Sequence, residues 1–350
     1  MRLRYIDYTK GLAIILMLFG HTMTKINFVH IWIYSFHMPV FFVIGGILMY
    51  RKETRREFGD FVRSNIIRRL RTAVPYYVFG SMLAVFYTLL NIIGDEPISF
   101  FEKMFNLLAL KGIDSLWFLP TYILAEIIME LIGNQRTYGK KLHFTMILCS
   151  FLIVTFLSDY MSIWYLDILY KVLLGICFIG IGLLCSRFAI VEKTPICVDC
   201  VLLIIGLLLA QKNGSVEMAA GNIGNSVIYF LCATATSIAI MSLMKKVEYK
   251  KIKLYKVLEV YGKNSIVIVC TNNLLIEIIR LFDYKVTGNF LASTGMVGCV
   301  IFTIILILSF RFLIELSVFR LTDAHFLQTG HLLRYLVVLS RVYNDLEVIL

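Results

Sequence analysis

Four residues near the start of the chain have types and spacing suited to chemistry: Asp7, Lys10, His21 and His37. Lys10 and His21 lie on one face of a helix, about three turns and roughly 16 Å of rise apart. Asp7 lies one turn before Lys10 and is placed to pair with it. Asp7, Lys10, Ile14, Met17 and His21 thus form a stripe, charged at one end and carrying an imidazole at the other. Ionisable groups at membrane depth are costly, so they mark a functional site by default. Imidazole titrates near neutrality and can take the proton of an attacking hydroxyl. It can equally carry an acyl group as a nucleophile. A plainer use stays open, with Lys10 snorkelling to lipid phosphates and His21 bonding a neighbouring helix. His37 sits in Phe36-His37-Met38-Pro39. A proline inside an apolar helix frees a carbonyl and kinks the chain. A histidine beside that kink can face a wet cavity. No HExxH or comparable cluster offers a third ligand, so no metal is expected.

The elements that must position these residues are set by the composition, 59% hydrophobic and only 16% charged, with mean hydropathy +0.81. A soluble domain carries about a quarter charged residues. An all-α, polytopic membrane protein is expected. Apolar runs at 11–31, 32–50, 73–93, 116–133, 143–158, 163–185, 196–210, 223–244, 262–282 and 290–314 give about ten transmembrane helices of near-spanning length; 143–158 and 196–210 are short. With both termini cytoplasmic, most of the 34 Lys and Arg fall inside, and only Lys25, Lys103, Lys111, Lys212 and Lys285 fall in outer segments. That bias follows the positive-inside rule. The net charge of +11 is then a topology signal, and no nucleic-acid partner is implied. The first run lacks a small-x-small cleavage site and is expected to be retained. The largest cytoplasmic element is the basic loop 51–71, and the largest outer loop is about 94–115. Residues 1–319 are expected to form the transmembrane domain, and 320–350 an amphipathic cytoplasmic tail at the membrane surface. The eight cysteines lie mostly in spans as small buried residues. Cys197-x-x-Cys200, without a second pair, argues poorly for zinc.

The ordered motifs carry a family resemblance. Tyr5-Ile6-Asp7-Tyr8-Thr9-Lys10-Gly11, Gly20-His21, Phe36-His37-Met38-Pro39-Val40-Phe41-Phe42, Arg68-x-x-Arg71 before Pro75-Tyr76, Leu116-Trp117-Phe118-Leu119-Pro120 and Gly262-Lys263-Asn264-Ser265 resemble the acyltransferase-3 family of integral membrane acyltransferases, in order and over essentially the whole chain. The resemblance implies a bacterial inner-membrane enzyme. It would use acetyl-CoA as a cytoplasmic donor substrate rather than a tightly bound cofactor. The acceptor would be a hydroxyl of a carbohydrate or cell-envelope glycan. It further implies His21 as the essential catalytic residue, with Lys10, Arg68 and Arg71 serving the anionic donor; basic groups at the inner mouth suit CoA phosphates. In one place the chain departs from the family. Many relatives have a histidine in the span after Gly-Lys-Asn-Ser, and this chain has Cys270-Thr271-Asn272-Asn273. Asparagine orients a substrate but takes no proton at neutral pH, so that role is either lost here or passed to His37.

The remaining candidates are polar residues within spans. Asn264 and Asn272 would stabilise a developing oxyanion. Trp117 is an interface anchor, a packing residue or a substrate platform. Glu126 and Glu130, one turn apart, face an internal cavity or a basic partner. Lys171 would snorkel outward. A transporter of a small polar solute is the competing function; it predicts interrupted helices in two related halves, and no such halves are visible. Oligomeric state and acceptor identity are not encoded in any motif.

Overall fold

The computed structural model of the chain describes residues 3–51, 58–93, 100–133, 139–157, 164–250 and 252–315. Its regular structure is helical. Among the described residues there is no strand, only an isolated antiparallel bridge between Glu217 and Asn222. The helices are α1 Arg4–Thr22, α2 Phe28–Phe36, α3 Pro39–Arg51, α4 Phe58–Ile93, α5 Phe100–Leu108, α6 Phe118–Gly133, α7 Gly139–Leu157, α8 Trp164–Arg187, the single turn α9 Ile190–Lys193, α10 Ile196–Asn213, α11 Ser226–Lys246, α12 Lys253–Lys263, α13 Ser265–Phe282, the single turn α14 Phe290–Ser293 and α15 Met296–Glu315. Two 3-10 turns, Asp114–Trp117 and Met218–Ala220, lie between them.

Eight segments are long and apolar enough to cross the hydrocarbon core: Phe28–Arg51, Thr72–Leu89, Asp114–Ile132, Leu166–Arg187, Ile196–Asn213, Ser226–Lys246, Ser265–Thr287 and Met296–Glu315. The chain is therefore an all-α multi-pass protein of a plasma or inner membrane. Ten spans were expected. The two not among the eight are α1, which carries Arg4, Asp7 and Lys10 in its first half, and His143–Leu157, which is apolar but shorter.

Several expected boundaries move for local reasons. The apolar run 11–31 is not one helix: α1 stops at Thr22, and Asn27 starts α2 by accepting from the amides of Val29 and His30, both at 3.0 Å. That cap satisfies donors a helix start otherwise leaves open. The second run breaks as Pro39 requires, with α2 ending at Phe36 and α3 beginning at the proline. The basic loop 51–71 is helical from Phe58 onward, because α4 runs unbroken through Pro75. The outer loop is partly ordered as α5 and the turn Asp114–Trp117. Five cysteines are buried, but Cys149, Cys197 and Cys200 lie on the surface, where a membrane helix can expose small apolar groups to lipid without cost. The expected tail 320–350 lies outside the described residues.

Two helix pairs approach so closely that only glycine fits. A Cβ at Gly11 would run into the carbonyl of Leu258, and one at Gly262 into the carbonyl of Asp7, so α1 and α12 cross backbone to backbone. Small residues at such crossings are how membrane helices gain packing contacts. Gly46 and Gly182 do the same for α3 and α8. Residues up to Leu306 form one compact unit. Of the unit beyond it, the described part is the end of α15, where Arg311 pairs with Glu315 at 2.9 Å.

Candidate functional site

The motifs at the two ends of α1 sit in separate places. Asp7 is buried and Lys10 half-buried at the end where α1 meets α12. Around them, Tyr8 stacks on Tyr255 with ring centroids 5.6 Å apart, the Tyr5 amide donates to Glu248 at 3.3 Å, and Lys245 pairs with Glu248 at 2.5 Å. Asn264 belongs to this end; its side chain donates to the Val260 carbonyl at 2.8 Å between α12 and α13. From Asp7 to His21 the helix rises about 21 Å, so Asn264 does not share a site with His21. Arg68 and Arg71 fall within α4, and their side chains lie outside the described residues.

At the other end of α1 a cavity of about 270 Å³ is lined by His21, Tyr34, His37, Trp117 and Asn273, and by the thioether side chains of Met17 and Met38. Both histidines that the sequence singles out line this cavity. Tyr34 stands between them. Its hydroxyl lies 3.1 Å from His21 Nδ1, and its ring meets that of His37 edge-on at 5.0 Å. His30 stacks on the same ring at 4.0 Å and holds its plane. A Cβ at Gly20 would come within 2.9 Å of the Tyr34 ring, so the glycine before His21 makes room for the phenol. His37 is 5% exposed, and its Nδ1 is 2.9 Å from the Ile33 carbonyl one turn back. Arg280, exposed at the end of α13, donates to the His21 carbonyl at 3.1 Å and to Glu277 at 2.9 Å; it fixes the end of α1.

The turn Asp114–Trp117 forms another wall. Asp114 adopts φ +49°, in the left-handed region that non-glycine residues seldom occupy. Its carboxylate accepts from the Tyr87 hydroxyl at 2.5 Å. That turn delivers Ser115 and Trp117 to the cavity. Ser115 lies 2.7 Å from Asn272 Oδ1 and 2.8 Å from the Val269 carbonyl. Asn272 is fully buried, and its Oδ1 also accepts from the Asn273 amide at 2.7 Å. It braces the wall, while Asn273 faces the cavity. Trp117 is buried, with the ammonium of Lys171 5.5 Å from its ring. Lys171 does not snorkel outward: it is buried and paired with Asp167 at 2.7 Å, because the carboxylate one turn earlier compensates it. The last wall, absent from the sequence reading, is the loop between α10 and α11. It contributes Glu217, Met218 and Ala219, and is tied down by Asn213 to the Ile223 carbonyl and the Asn225 amide, both at 2.8 Å.

Glu126 and Glu130 are held elsewhere. Arg69 bridges them, pairing with Glu126 and at 2.7 Å with Glu130, while Tyr122 donates to Glu126 at 3.0 Å. Of the two settings expected for these carboxylates, a basic partner is the one found. Sequence reasoning missed Arg69 because it is one arginine in a basic run. Tyr34 was legible in principle, since it lies one turn before His37 on the same face. Glu217 carries no local signal at all. A family model described as an acyltransferase domain matches residues 3–312. No curated protein and no solved structure matches the chain.

Proposed function

The chain belongs to the acyltransferase-3 family of membrane acyltransferases, and from that premise we propose that it moves an acetyl group from acetyl-CoA to a hydroxyl of a carbohydrate or cell-envelope glycan. The observation that carries this reading is the cavity joining His21 and His37 around Tyr34. Proton transfer from a hydroxyl needs a positioned proton acceptor, and two imidazoles at one cavity supply it. Trp117 offers an apolar face of the kind on which sugar rings rest, and Asn273 and Ser115 add polar groups beside it. The partly sheltered setting strengthens each hydrogen bond to charge that develops on the acyl oxygen.

The donor is expected from the cytoplasmic side and the acceptor from the other. The basic residues favour that polarity, since Lys10 and the α4 arginines Arg68 and Arg71 would face CoA phosphates at the inner mouth. Asp7, beside Lys10, would help hold that mouth, and Glu126 would act through Arg69 rather than on the acceptor.

His21→Ala is expected to lower acetyl transfer in isolated membranes by about 10²–10³-fold, the scale on which losing one positioned catalytic group is felt. Transfer unchanged by the substitution would sink the proposal. Mass spectrometry of surface glycans from deleted and complemented strains would identify the acceptor by its missing acetyl group.

A further inference from the structure

The hydrogen bonds around the cavity distinguish the two histidines. A backbone carbonyl only accepts, so the 2.9 Å contact of His37 Nδ1 with the Ile33 carbonyl requires the proton to sit on Nδ1. In the neutral ring Nε2 then carries the lone pair, and it is the edge left for the cavity that His37 lines. His37 is thus held in the tautomer that can take a proton. His21 is bound differently. Its Nδ1 meets the Tyr34 hydroxyl at 3.1 Å, and among the described residues that phenol has no other hydrogen-bond partner. A phenol in a packed site uses its donor when an acceptor is in reach. Of the two directions this contact admits, the phenol as donor gives its proton a partner among the described residues and puts the His21 proton on Nε2.

Resting on the acyl-transfer reading above, we propose that the histidines divide the work: His37 Nε2 takes the proton of the acceptor hydroxyl, and His21, oriented by Tyr34, presents an Nε2–H to the acyl carbonyl oxygen. The acceptor oxygen bonds to the acyl carbon as its proton passes to His37. The carbonyl electron pair moves onto the oxygen facing His21. When that pair returns, the carbon–sulfur bond of the donor thioester breaks and the sulfur takes the proton from His37. An ester and a free thiol result, and both rings are back in their starting tautomers. Tyr34 touches no reacting atom; it is a positioning residue, kept in place by the His30 stack and by the absence of a side chain at Gly20.

The test combines a tautomer measurement with a rate measurement. Nitrogen NMR on the whole protein in lipid nanodiscs, with isotope-labelled histidine and His→Gln variants to assign the signals, should find His37 protonated at Nδ1 and His21 at Nε2. Tyr34→Phe should release the His21 preference and leave that of His37 intact. In native membranes, which retain the endogenous acceptor, incorporation of label from radiolabelled acetyl-CoA should fall at low pH as the base becomes protonated. His37→Gln should remove that acidic limb and lower incorporation by about 10²–10⁴-fold. His21→Gln, whose amide can still donate, should keep the limb and retain more activity than His21→Ala. Tyr34→Phe should lower kcat several-fold with little change in KM. A His37 ring protonated at Nε2, or an acidic limb that survives His37→Gln and disappears in His21→Gln, would overturn the division of labour. Wild-type membranes that incorporate no label would overturn the acyl-transfer reading instead, and the tautomers would still decide the assignment of the two rings.

Discussion

At the residue scale, types visible in the sequence acquire their roles from partners that are not. Asp7, Lys10, His21 and His37 stand out on spacing alone, and the last two do share a cavity. Asn264 stands out equally, yet it belongs to the far end of α1. For Glu126 and Glu130 the sequence leaves a cavity or a basic partner open, and Arg69 between them decides it. That cluster allows a sharp expectation. Its three side chains are only 10–13% exposed, so removing the guanidinium strands two buried carboxylates. Arg69→Met should destabilise the protein by about 3–5 kcal/mol, as breaking buried ion pairs does, measured by unfolding in detergent. Glu126→Gln should cost less, because Glu130 still pairs with Arg69. A loss below about 1 kcal/mol for Arg69→Met would mean that the cluster behaves as a solvated surface pair.

At the scale of elements, most helices were readable from apolar runs and their ends from proline and caps. Pro39, expected to kink the second span, instead marks a break between α2 and α3. At Pro75, by contrast, the helix does not break: α4 continues through it. The glycines were the least readable. Gly11 and Gly262, each part of a sequence motif, have a packing reason, because each lets one helix touch the backbone of the other. Gly262→Ala should separate α1 from α12 at a cost of about 1–3 kcal/mol, the usual penalty of overpacking. Thermal unfolding and yield in membranes would register it. Gly20→Ala is a different case: its Cβ would press on the Tyr34 ring rather than on backbone, so it should impair activity more than stability. Equal stability losses for the two variants would argue against this distinction.

At the scale of the whole molecule, composition makes the chain a membrane protein and the family match makes it an acyltransferase-family member. The number and polarity of the spans rest on charge distribution, and labelling can test them directly. With both termini cytoplasmic, Asn222→Cys in the loop between α10 and α11 should react with an impermeant maleimide in intact cells. Lys250→Cys between α11 and α12 should react only after permeabilisation. The reverse pattern would invert the topology and move the His21 cavity to the donor side.

Hydropathy and the ordered motifs by themselves determined that this is an all-α membrane protein, and they singled out His21 and His37 as the candidates for its chemistry. Those features are local or additive along the chain, so they survive without coordinates. Only the tertiary structure decided which polar groups meet. It placed Tyr34 against His21, the Ile33 carbonyl against His37 and Glu217 on the cavity wall, and it gave Glu126 to Arg69. Such pairings depend on helix rotation and crossing, and a membrane-spanning sequence, apolar on nearly every face, carries little periodic signal to fix either.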